Sequence, residues 1–222
     1  MICETMRSMQ TTTLPAAPPS CLARAQALIG QGGRRLLGLV GAPGAGKSTL
    51  AMALHQALAQ TSQVVPMDGF HLANVELQRL GRSGRKGAPD TFDAAGYAAL
   101  LQRLRTQRPD EIVYAPEFRR EIEEPVAGAI AVLPQTQLVI TEGNYLLLDQ
   151  GPWAGVAALL DEVWYVDVDH GLRTERLVRR HEQFGRSAQD AKAWVNGTDE
   201  PNARLIAATR SRAHWVFQWG SA

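Results

Sequence analysis

Two hydrophobic spacings alternate along this chain. Short apolar runs, "RLLGLVG", "QVVPM", "TQLVITEGN" and "DEVWYVDVD", have the length and continuity of buried strands. Between them lie stretches whose apolar residues return every third or fourth position: "CLARAQALIG", "TLAMALHQALAQ", "DAAGYAALLQRLRT", "HGLRTERLVRRHEQFG" and "NARLIAATRSRA". That spacing predicts helices with one face turned to a core. Asp93 stands where a helix cap belongs, and Ser187 caps a further helix in "SAQDAKAWVNG". "LANVELQRLG" and "WAGVAALL" are shorter helical stretches, and "HWVFQW" fits a last strand. "EIVYAPEF" is extended, and the "RREIEEPVAGAIAVLP" that follows mixes charge, proline and alternating apolar positions, as an excursion or a hairpin would. Strands alternating with helices predict an α/β fold: a three-layer sandwich whose mainly parallel central sheet is covered on both faces.

Composition narrows the picture only a little. The 222 residues fit one medium domain, expected over residues 21–222, and a formal net charge of +1 gives no field toward nucleic acid or membrane. No aromatic-basic module for nucleic acid is present, and no apolar run has the length of a membrane span. The two cysteines, Cys3 and Cys21, give neither a disulfide framework nor a metal spacing, so a reducing cytoplasm is expected. Residues 1–20 lack the apolar core of a signal peptide and read as a flexible tail. A homodimer stays open.

"GAPGAGKST" carries the chemistry. Gly41, Ala42, Pro43, Gly44, Ala45, Gly46, Lys47 and Ser48 fit G-x-x-x-x-G-K-[ST], with Thr49 next, and the match follows a predicted strand and opens a predicted helix. Glycines let consecutive backbone amides turn around phosphate oxygens, and the helix amino terminus adds partial positive charge. Lys47 is placed for β- and γ-phosphates and Ser48 for Mg²⁺, which makes ATP and Mg²⁺ the expected ligands of a P-loop fold. No guanine-reading N-K-x-D is present, and the strand "LVITEGN" ends in a lone Glu142 rather than the Asp-Glu of motor ATPases.

In "VVPMDGFHL", Asp68 begins an Asp-Gly pair, the commonest turn chemistry, yet it sits at the carboxyl end of a predicted strand, where α/β proteins place ligands. With the P-loop one helix upstream, its strand should lie close to the P-loop strand, and Asp68 can orient or deprotonate an acceptor hydroxyl. Arg173, Arg176 and Arg180 share one face of the basic helix, and "FGRS" breaks it, as a lid over residues 170–197 would be built. Arg173 and Arg176 are the expected lid cations. Two functions fit: a kinase that phosphorylates a hydroxyl of a small molecule, or a P-loop ATPase that works as a switch or assembly factor.

The pieces "GAPGAGKST", "MDGFHL", "RKGAPDTFD", "VYAPEFRREIEEP", "VITEGNYLLLD", "RTERLVRRH" and "TDEPNARLI" together resemble the phosphoribulokinase/uridine kinase family of P-loop kinases. "EGNYLLLD" with Trp153 is most similar to a bacterial nucleoside/nucleotide kinase-like branch, some of whose members are described as candidate fructose-transport-system kinases. Bacterial pantothenate kinase shares the Asp-Gly-Phe pattern. The resemblance implies Asp68 as catalytic acid-base residue, Glu142 near the metal with Ser48, Arg173 and Arg176 in the lid, and Asn202 near the nucleotide base, although Asn202 also suits a helix start. Sugars, nucleosides and pantothenate-like alcohols are the implied acceptors. Gly87 replaces an acidic residue of the uridine kinases, which argues against a uridine-type ribose clamp. His71 either bonds an acceptor hydroxyl or sits as a surface or capping histidine. Tyr114 and Arg119 are further pocket candidates, whereas Arg120 and the glutamates beside it read as a solvated face.

Overall fold

A computed structural model of the chain describes residues 14–219. Cys3 and most of the expected tail lie outside the described residues. Helix α1 already opens at Pro19 (Pro19–Gly30), with Cys21, Ala25 and Leu28 buried, so the core takes up the chain slightly earlier than its composition suggests. Proline suits that position, because a first-turn residue has no helical acceptor for an N–H.

The central sheet contains β1 (Arg35–Val40), β2 (Ser62–Val64), β5 (Leu138–Gly143), β6 (Glu162–Asp167) and β7 (Trp215–Gln218), all parallel, in the order β2-β5-β1-β6-β7. Side chains alternate across the sheet. Leu36 and Val40 of β1 join Val139 of β5 and Val163 and Tyr165 of β6 on one face; Leu37 and Leu39 join Leu138, Ile140, Trp164 and Val166 on the other. Both faces are therefore apolar, which is why these strands read as continuous hydrophobic runs. Helix α4 (Ala94–Arg105) covers the first face through Tyr97, Leu100, Leu101 and Leu104, with Trp153 beside it. Helix α1 and helix α2 (Lys47–Ala57) cover the second through Cys21, Leu28, Leu50 and Leu54. Each fully buried leucine of this kind contributes about 1.5–3 kcal/mol relative to exposure.

Asp93 caps α4 by accepting the Gly96 amide, and Ser187 caps α6 (Ala188–Trp194) by accepting that of Asp190, as their positions predict. The ambiguous segment is a hairpin, β3 (Val113–Arg119) against β4 (Glu124–Val132), with a register shift between Ala115 and Glu117. "WAGVAALL" is not a regular helix. Pro152 and Gly155 interrupt it, and it forms two 3₁₀ turns, Gly151–Trp153 and Ala157–Leu159, around a buried Trp153 whose indole N–H donates to the Pro89 carbonyl at 3.0 Å. One placement also differs from expectation: β5 is inserted between β1 and β2. Parallel alignment still brings the carboxyl ends of β1, β2 and β5 to one edge of the sheet, and the loops from those ends carry the site.

Candidate active site

The carboxyl edge of the sheet opens into a cleft of about 1120 Å³ whose lining includes Lys47, Ser48, Asp68, His71, Glu142 and Arg180. The loop from Val40 to α2 forms one wall. Gly46 holds φ +89°, a left-handed conformation, and a Cβ there would meet the Trp219 indole nitrogen at 2.7 Å. No side chain caps the first turn of α2, so its leading amides are left for a ligand. Lys47 is buried and its ammonium donates to the carbonyls of Gly41 (2.9 Å) and Ala42 (3.2 Å) and to Asn144 Oδ1 (2.8 Å). Burial pulls its pKa down to about 8, against the upward pull of Glu142 and Asp68. An ammonium so placed is short of negative charge, and phosphate oxygens supply it.

Glu142 stands at the end of β5, buried, and Ser48 Oγ donates to its Oε1 at 2.9 Å. Burial and the neighbouring Asp68 raise the Glu142 pKa, while Lys47 and Ser48 pull it back. Among the described residues, no group of three or more His, Cys, Asp or Glu side chains converges into a metal cage. The donor set of Ser48, Glu142 and Asp68 instead fits Mg²⁺, which takes one or two protein oxygens and fills its octahedron with phosphate and water. The Trp219 indole N–H is a buried donor with no hydrogen-bond partner among the described residues, which fits a nucleotide acceptor beside Gly46.

Asp68 lies in a 3₁₀ turn, Met67–Phe70, that continues from the end of β2. Its neighbour Gly69 is there for space: a Cβ would come within 2.3 Å of the Pro116 carbonyl oxygen of β3. The Asp-Gly pair thus does not reverse the chain. It brings the hairpin against the turn and leaves the Asp68 carboxylate facing Arg120 at 3.5 Å. His71 Nδ1 donates to the Asp68 carbonyl at 2.8 Å, and its ring stacks between Phe92 (4.0 Å between centroids) and Phe118 (4.6 Å). Burial lowers the His71 pKa, so the ring is neutral near pH 7, with Nε2 left as an acceptor.

Helix α5 (His170–Gln183) closes the opposite wall with Arg176 and Arg180, and Asn202 lines the cleft from the start of α7 (Glu200–Ala207). His181 Nε2 and Asp199 Oδ2, 2.8 Å apart, tie α5 to the π-turn Val195–Asp199. Arg180 forms no ion pair among the described residues; burial, with Arg120 alongside, lowers its pKa.

The structure thus brings together Pro43, Gly44, Gly46, Lys47, Ser48, Thr49, Asp68, His71, Glu142, Arg176 and Asn202, as the sequence predicts. Gly41 and Ala42 act through carbonyls that hold Lys47, and the Ala45 side chain packs into the core. Four expectations are corrected. Arg173 does not line the cleft: it is buried, donates to the Pro43 carbonyl at 3.3 Å and pairs with Glu200, so it fastens α5 to the P-loop from behind. Tyr114 is exposed on the outer face of the hairpin, and Arg119 is exposed and paired with Glu117 at 3.4 Å. Arg119 is lost and Arg120 gained beyond an irregularity in the hairpin. Val113 and Ala115 are buried; beyond the irregularity, where Pro116 alone faces three residues of β4, Phe118 and Arg120, just past the strand end, line the cleft while Arg119 is exposed. Arg120 is accordingly a cleft residue and not part of a solvated face. Lys86, Asn144, Arg180 and Trp219 were also missed. Only Arg180 had a signal, its position one turn after Arg176 on the same helical face.

Similarity to known proteins agrees with this geometry. A candidate uridine kinase of Schizosaccharomyces pombe is 37% identical over 185 residues, 79% of this chain and 78% of that protein. Escherichia coli K12 YggC is 34% identical over 191 residues, covering 83% of this chain and 78% of its own. A solved structure from Silicibacter sp. TM1040, described as a candidate fructose transport system kinase, superposes with a TM-score of 0.80 at 39% identity, over 89% of this chain and 98% of the other. The family model for phosphoribulokinase/uridine kinase matches residues 36–222, and a chain with this P-loop, this sheet and this cleft belongs to that family of P-loop kinases.

Proposed function

We propose that the protein is an ATP-dependent kinase that transfers the γ-phosphoryl group to a hydroxyl of a small molecule. The observation that carries this reading is the meeting of Asp68 with Lys47, Ser48 and Glu142 in one cleft. A switch ATPase needs a water-positioning group, whereas the same cleft extends past Asp68 to His71 and Phe118 and leaves room there for an acceptor. Asp68 orients the acceptor hydroxyl and takes its proton as the new O–P bond forms; the bond from γ-phosphorus to the bridging oxygen breaks, and ADP leaves with that electron pair. Lys47, Arg176 and Arg180 hold the negative charge of the transferring group. Ser48 and Glu142 would hold Mg²⁺, directly or through water, and the ion would supply positive charge that stabilises the transferring phosphoryl group. Closure of α5 and α6 excludes water and limits hydrolysis.

Purified protein with Mg-ATP should release ADP only when a suitable acceptor is added, in a screen of sugars, sugar phosphates, hydroxy acids, nucleosides and pantothenate. Hydrolysis indifferent to every acceptor and stimulated by a partner protein would favour the ATPase alternative. Magnesium dependence and cytoplasmic location are parts of the same proposal.

A further inference from the structure

The acceptor end of the cleft holds more positive charge than the nucleotide uses. Lys86 and Arg120 both line it, on the hairpin side of Asp68 and away from the P-loop wall. Arg120 has Asp68 itself as its ion partner, at 3.5 Å, and both side chains keep substantial exposure. Lys86 forms no ion pair among the described residues. Its ammonium donates to Asn74 Oδ1 (2.6 Å) and to the Glu123 backbone carbonyl, both neutral groups. The Glu123 and Glu124 carboxylates lie beyond ion-pair distance and still attract the ammonium, while Glu124 accepts the Asn74 amide at 3.0 Å.

Lys86 is also held in place. The loop that carries it is fastened on its far side, where the Tyr145 hydroxyl donates to the Gly87 carbonyl and the Trp153 indole to that of Pro89. The Phe118 ring gives the two cations a common platform: Lys86 Nζ lies 5.1 Å and the Arg120 guanidinium 6.0 Å from its centroid. The His71 ring stacks on the same Phe118, with Nε2 free to accept a hydroxyl.

We infer that the acceptor is an anionic alcohol, whose hydroxyl lies at Asp68 and whose carboxylate or phosphate monoester is bound by Lys86 and Arg120. The inference rests on the kinase reading and sharpens its substrate class. A neutral sugar or nucleoside would leave Lys86 hydrogen-bonded to neutral groups only, with the Glu123 and Glu124 carboxylates acting on it from beyond ion-pair distance, a poor use of a partly buried charge. An oxyanion meets both cations with charge-assisted hydrogen bonds and frees the Asp68 carboxylate from Arg120.

Sulfate, titrated calorimetrically into protein saturated with Mg-AMPPNP, tests this directly, because the nucleotide then fills the P-loop and the γ-phosphate position. One sulfate should bind per chain, and Lys86→Met and Arg120→Met should each weaken it roughly tenfold or more, the loss expected for one charge-assisted bond. Lys86→Gln and Arg120→Lys provide milder variants, and unchanged Mg-AMPPNP affinity reports that each variant is folded. Absence of sulfate binding, or equal binding in wild type and variants, overturns the inference. Failure of Mg-AMPPNP itself to bind would instead strike the kinase reading. Turnover of matched acceptors, sugar phosphates and hydroxy acids against their neutral parent alcohols, separates phosphate from carboxylate as the recognised group; a preference for the neutral members overturns the inference as well.

Discussion

Replacing Lys47 by methionine should make the nucleotide-free protein more stable while abolishing phosphoryl transfer. The structure gives the size of the effect. Burial moves the Lys47 pKa from 10.5 to about 8, so folding at neutral pH carries the cost of a desolvated ammonium. At about 1.4 kcal/mol per pKa unit, that cost is on the order of 3 kcal/mol. Methionine removes it; the Ala42 carbonyl keeps the Ala45 amide and Asn144 lines the open cleft, so chiefly the Gly41 carbonyl is stranded, which returns about 1–2 kcal/mol. The net gain is about 1–2 kcal/mol, a rise in Tm of about 2–8 °C for a domain of this size. The pH dependence has a definite sign. Between about pH 8 and 10.5 the unfolded wild-type chain binds more protons than the folded one, so wild-type stability rises with pH across that window. The advantage of the mutant should therefore be full at pH 7, vanish at about pH 9–9.5, and be reversed by about 1–2 kcal/mol at pH 10.5. Thermal melts of both proteins at a series of pH values measure this, and added Mg-ATP should reverse the order by stabilising the wild type alone. A mutant that melts below the wild type at pH 7, or a difference indifferent to pH, would refute the reasoning.

Arg173→Ala should act mainly on stability: it leaves Glu200 with only the exposed His170 as partner and loosens α5 from Pro43, costing about 1–3 kcal/mol in a thermal or urea melt. Arg176→Ala and Arg180→Ala should each lower kcat far more than nucleotide affinity, because lid cations act on charge that develops during transfer; equilibrium binding of Mg-AMPPNP beside steady-state rates separates the two. Gly69→Ala should push the hairpin from the turn that carries Asp68, costing about 1–3 kcal/mol and lowering kcat together, since the clash is with backbone and cannot relax by a rotamer change.

Much of this was legible in the sequence, and the parts that were not share a cause. The P-loop, Asp68 and Glu142 each sit at the carboxyl end of a strand, and strand ends are marked by local pattern: an apolar run, then a polar or glycine residue. The lid helix and the caps at Asp93 and Ser187 are equally local. Strand order is not local, and the insertion of β5 between β1 and β2 left no trace in either segment. The hairpin irregularity, with Pro116 on one strand and a left-handed Gly128 on the other, breaks the simple alternation, and alternation alone favoured Arg119 over Arg120. Arg173 and Arg180 lie on the same helix and carry the same charge; only tertiary contact shows that one is spent on Glu200 and the other faces the cleft. Lys86 stands in a glycine-rich loop whose position depends on Tyr145 and Trp153, both distant in sequence.

The account turns on Asp68, and Asp68→Asn tests it most directly. Asparagine keeps the shape of the side chain and its capacity to serve a turn, but removes the charge and the base. With the acceptor returned by the ADP-release screen, kcat should fall by roughly two to four powers of ten, the range for a lost general base. Mg-AMPPNP should bind as before, because Lys47 and the uncapped amides of α2 are untouched, and the melting temperature should hardly move. A mutant that retains a third or more of the wild-type kcat, with nucleotide bound as tightly, would contradict the account and reduce Asp68 to a turn residue.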